Sequence, residues 1–80
     1  MHELGIVYNI VEQVLKVAGD NSLTEVEAIV LQVGETSPVI PEYLQKCFPA
    51  AVDGTMLEKT LLEIERINGR EFIIKEIRAR

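Results

Sequence analysis

Apolar residues recur at three- and four-residue spacing through the first part of the chain: Leu4, Val7, Ile10, Val11, Val14, Leu15 and Ala18. Glu12, Gln13 and Lys16 lie on the opposite side. That period predicts an amphipathic helix of about four turns. Glu3 falls in or just before its first turn, where the positive end of the helix dipole favours a carboxylate. Gly19 followed by Asp20-Asn21-Ser22 predicts a left-handed cap and then a turn. From Thr24 to Val33 the pattern changes. Glu25 and Glu27 stand early, and a continuous Ile29-Val30-Leu31 centre predicts a strand buried on both faces. Gly34 closes that segment.

Thr36-Ser37-Pro38 reads as a loop, and Pro41 suits the first turn of a second helix, whose apolar face is Leu44, Cys47, Phe48 and Ala51. Pro49 removes an internal hydrogen bond, so a kink or break is expected there, ending at Asp53-Gly54. Thr60, Leu62 and Ile64 alternate with Leu61, Glu63 and Glu65, a strand with one wetter face. A last strand, Phe72 to Arg78, is read with Phe72 and Ile74 on one side and Ile73 and Ile77 on the other. Asn68-Gly69 between the two is a strong hairpin signal. The predicted fold is α/β, in the order helix–strand–helix–strand–strand. Two helices pack on one face of a three-stranded mixed sheet, the crossover is right-handed, and a tight hairpin joins the final two strands. No linker or repeat divides residues 1–80, which read as one domain.

Charge and composition narrow the chemistry. Thirteen acidic residues against eight basic ones give a formal net charge of −5. That balance argues against a nucleic-acid partner, which calls for a cationic face, and suits a metal cation or a basic protein surface. A chain this short hides only roughly 60–65% of its unfolded surface, so dimerisation or a metal would add to its stability. A single cysteine, Cys47, rules out an internal disulfide framework and is ordinary for a reducing compartment; at its helical spacing it belongs to the core. No run is long enough to span a membrane and no basic leader precedes the first helix, so a cytoplasmic location is expected.

The one histidine, His2, is notable for its position. The Met1 amine and the His2 backbone nitrogen can close a five-membered chelate ring, and that nitrogen with the imidazole Nδ1 closes a six-membered one. A fourth position is left for Glu3, by its carboxylate or its backbone nitrogen, or for water. Planar nitrogen and oxygen donation suits Ni(II) or Cu(II) better than zinc. The bulk of His2 should keep Met1 in place. Taken on spacing alone, though, a second-position histidine is an ordinary solvated residue at a helix start. Glu35 and Asp53 are acids at element ends that either support such a site or are plain loop charges. Tyr8 and Tyr43 read as boundary residues with wet hydroxyls. No phosphate loop, Ser/His/Asp set or spaced Cys/His pair occurs, and no enzyme is expected.

Several segments together carry a family pattern. They are Met1-His2-Glu3-Leu4 entering the first helix, Val33-Gly34-Glu35 closing the first strand, and Pro41-Glu42 opening the second helix. Gly54-Thr55, Leu61-Leu62-Glu63-Ile64 and the run from Arg70 to Ile77 continue it. From end to end the chain resembles the HypA/HybF family of nickel-incorporation proteins for hydrogenase and urease. The resemblance implies a nickel metallochaperone domain holding Ni(II) through Met1 (terminal amine), His2 and Glu3. It implies a nickel-handling GTPase and the hydrogenase large subunit as partners. A homodimer, and a pure interaction module that keeps the fold without metal transfer, stand as alternatives. One departure is large. The family carries a zinc module with two Cys-x-x-Cys pairs between the last two strands, and here only the stretch from about residue 66 to 71 stands in its place, so no zinc is expected. Gly5, where the family usually has serine or alanine, is a smaller departure.

Overall fold

The computed structural model describes residues 3–80. The elements are α1 (Glu3–Asp20), β1 (Val26–Gly34), α2 (Pro41–Val52), β2 (Leu61–Ile67) and β3 (Phe72–Ala79), in the order the sequence predicts. The end of α1 differs in detail. Gly19 stays helical, and the left-handed residue is Ser22, at φ 54°. Its N–H donates to the Gly19 carbonyl (3.2 Å) while the Leu23 N–H reaches the Ala18 carbonyl (2.8 Å). This is the paired closure of a Schellman cap, with Leu23 folded onto the core behind buried Ala18. In α2, Pro41 occupies the first turn and the helix runs unbroken through Pro49 to Val52. Packing of Phe48, Ala51 and Val52 into the core on either side of the proline holds the last turn.

Both helices cover the same face of the sheet. Val7, Ile10, Val11 and Val14 of α1 and Leu44 and Phe48 of α2 form one core with Ile29, Leu31 and Val33 of β1. At roughly 25 cal/mol per Å² of apolar surface removed from water, these fully covered branched side chains supply most of the folding drive. On the other face of β1, Ala28 and Val30 are also buried, and no helix lies over them. Long charged side chains from the flanking strands do: Arg78 pairs with Glu63 (3.2 Å) and Glu27 (3.8 Å), and Lys75 with Glu65 (3.1 Å).

The strand order corrects the sequence reading. β1 is central, parallel to β2 on one side and antiparallel to β3 on the other, so the sheet runs β2–β1–β3. The expected hairpin does not form, because β2 and β3 are not neighbours. Residues 68–71 instead arch over the end of β1. Alternate strands lie roughly 10 Å apart, a gap that four residues bridge easily. A two-residue hairpin of this kind needs positive φ at both central positions, and here only Gly69 has it, at 92°. The Gly69 carbonyl accepts from the Thr36 N–H (3.0 Å) and the Thr36 hydroxyl (2.8 Å), and the Glu71 carbonyl accepts from the Gly34 N–H (2.7 Å). The arch passes so close that a Cβ on Gly34 would overlap the backbone at Gly69 and Arg70. Gly34, the last residue of β1, is therefore also a close-approach glycine.

The faces of β3 are corrected as well. Its pairing with β1 shifts between Val30 and Leu31, where Glu76 faces the first and Ile74 the second, leaving Lys75 as a bulged extra residue. Past the bulge the alternation is reset. Ile77 therefore joins Phe72 and Ile74 on the core side, and only Ile73 keeps the opposite one.

Candidate metal centre

Met1 and His2, the two residues on which the nickel expectation chiefly rests, lie outside the described residues. Glu3, the third, is half-buried at the first position of α1. Packing of α1 on α2, which run in the same direction, sets that position beside the first half of the second helix. Glu3 and Leu4 line a shallow depression of about 250 Å³ with Tyr43, Lys46 and Cys47. The positive end of the α1 dipole and the Lys46 ammonium both raise the local potential there. A bare dication gains little from such a place.

Cys47 is half-buried against the core and so largely fits the expected core position, but one side of it faces this depression. Nothing in the local sequence signals that neighbour of Glu3; only the docking of one helix on the other brings residues 3 and 47 together. The other two acids stay apart from the depression. Glu35 is an exposed turn residue whose N–H continues the β1–β2 ladder to the Ile67 carbonyl (2.8 Å), and Asp53 is the exposed C-cap of α2. Tyr8 and Tyr43 are about half exposed, as boundary residues. Among the described residues no group of three or more histidine, cysteine or acidic side chains is gathered as a metal site. No helix among them is long and apolar enough to cross a membrane.

The fold is a small two-layer α/β domain, and the sequence has one histidine, His2, just ahead of the described residues. A family model described as hydrogenase/urease nickel incorporation, metallochaperone, hypA matches residues 1–72, and the chain belongs to the HypA family. The hydrogenase maturation factor HypA of Geobacter sulfurreducens is 41% identical over 70 residues, covering 88% of this chain and 61% of that protein. The corresponding protein of a Nostoc species is 42% identical over 69 residues, covering 86% and 58%. The chain thus spans only about three fifths of the length of the curated relatives it matches. The solution structure of the Ni metallochaperone HypA from Helicobacter pylori superposes with a TM-score of 0.77 over 95% of this chain and 72% of that one. At 17% identity this likeness concerns the fold.

Proposed function

We propose that this chain is a nickel metallochaperone domain serving hydrogenase maturation, with Ni(II) as cargo at the N-terminus. The observation that carries the reading is the family match, which begins at residue 1 and so includes Met-His-Glu. The Met1 amine, the His2 backbone nitrogen and His2 Nδ1 supply three coplanar donors, and Glu3 the fourth position. Because a backbone amide must lose its proton, binding releases protons and weakens on acidification. The helix-end potential and Lys46 next to Glu3 work against holding a cation tightly, which suits a carrier that must give its metal up.

No chemical step is assigned to the chain. Its proposed partners are a nickel-handling GTPase and the hydrogenase large subunit, or the urease system, in the cytoplasm. Residues 1–80 are read as one nickel domain without a zinc module, since Cys47 is the single cysteine and the β2–β3 connection is a four-residue arch.

A nickel titration of the untagged chain, followed by calorimetry and by the absorption band of square-planar Ni(II), tests the site. One Ni(II) per chain is expected. His2→Ala should abolish binding, and so should extending the chain ahead of Met1, which turns the amine into an amide. Unchanged affinity in both variants would show the site assignment to be wrong.

A further inference from the structure

The two edges of the sheet are finished differently. Along β2, the Gln45 side chain of α2 donates to the Leu62 carbonyl (2.7 Å) and so occupies one backbone acceptor of that strand. Along β3, no described side chain does the same. The hydrogen bond from Gly34 N–H to the Glu71 carbonyl fixes which backbone groups face β1. Glu71 and Ile73 turn theirs inward, so Phe72 and Ile74, whose β1 partners are Val33 and Leu31, turn their N–H and C=O groups outward. On the core side the same two residues are only half-buried, whereas Leu31 and Val33 beside them are fully covered. The apolar row therefore runs out under an open edge.

A groove of about 990 Å³ lies beyond that edge, between β3 and α1, walled on the helix side by Ile6 and Ile10. Its polar lining is Asn9, Gln13, Ser37 and Arg70, and no carboxylate lines it among the described residues. In a chain with thirteen acids and eight bases, a groove with one cation and no anion is selective for an acidic guest. Arg70 makes no salt bridge among the described residues. The bulge at Lys75 ends the regular edge and limits pairing to a short stretch, as bulges and lysines on edge strands commonly do.

We infer that this groove is a docking site for a short extended segment of a partner protein, added as a fourth strand beside Phe72–Ile74. The segment carries apolar side chains at alternate positions and a carboxylate that meets Arg70. Backbone hydrogen bonds to Phe72 and Ile74 supply affinity. The alternate side chains enter the groove against Ile6 and Ile10, and the guanidinium selects the charge. This surface is separate from the Glu3 depression and does not depend on nickel.

The test uses the full chain, isotopically labelled, titrated with the capped peptide Asp-Val-Thr-Val-Thr-Val-Asp and followed by amide NMR. The amides of Phe72 and Ile74 should shift and gain exchange protection, with accompanying shifts in the first turns of α1. The same peptide with lysine at both ends should bind about three- to tenfold more weakly. Arg70→Gln should remove that preference, and Gln13→Glu, an exposed and helix-compatible change, should weaken the acidic peptide specifically. Shifts at the β2 edge or scattered over the surface would overturn the proposal, as would equal binding of both peptides. Concentration-dependent shifts at Phe72 and Ile74 without peptide would name a second copy of this chain as the occupant and overturn it too.

Discussion

β1 is buried on both faces, but its two faces are dry for different reasons. On one, Ile29, Leu31 and Val33 are covered by two helices in an interdigitated core. On the other, Ala28 and Val30 lie beneath a fringe of charged side chains that reach across the central strand from β2 and β3. The first cover is close-packed and apolar, so removing atoms there leaves a cavity. The second is made of aliphatic stems tipped with ions, which rearrange and admit water. A continuous apolar run in a strand thus need not mean a second layer of structure, since small central residues flanked by long charged ones achieve the same burial.

The difference can be pressed by mutation. Leu31→Ala should cost about 2–5 kcal/mol, read from denaturant midpoints, because the helix side cannot collapse fully into the void. Val30→Ala, on the charged side, should cost only about 1–2 kcal/mol, close to the transfer value of the two lost methyl groups. If the two losses come out equal, the charged fringe packs as tightly as the helices and the contrast fails. Smaller still is the effect expected at Arg78. Arg78→Met keeps the stem over Ala28 and should leave the melting temperature near that of the parent, while Arg78→Ala uncovers the strand and lowers it. Equal losses in both would mean that the ion pairs, not the stem, provide the cover.

The smallest effect is one of pH. The hydrogen bond from the Gln32 amide, with the Lys75 ammonium beside it, holds the Glu65 carboxyl below its ordinary range. A lowered folded-state value means that this group stabilises the fold above its unfolded value and that the contribution fades as pH falls through the folded one. The difference in melting temperature between the parent and Glu65→Gln should therefore shrink between about pH 6 and about pH 3, and added salt should reduce it at the upper end. The Leu31→Ala loss should change little over the same range.

Much of this fold was legible because it is written locally. Helical spacing marked α1, Pro41 marked the start of α2, and alternation gave β2 its wet face at Leu61, Glu63 and Glu65. The chelate proposed for Met1-His2-Glu3 is likewise local, since its rings would close within two residues. The depression that sets Cys47 and Lys46 beside Glu3 was not legible, because the docking of α1 on α2 decides it and neither helix specifies it alone.

The sequence by itself determined which segments are helix or strand and which faces are apolar, since those follow from side-chain period and size. Only the tertiary structure decided who neighbours whom. Asn68-Gly69 permits a hairpin as readily as an arch, and the choice fell to β1, whose nearly continuous apolar run is buried best at the centre with β2 and β3 on its flanks. The bulge at Lys75 is of the same kind. A single extra residue leaves no local mark, yet it resets the alternation and turns Ile77 inward, because register belongs to the pair of strands and not to either one.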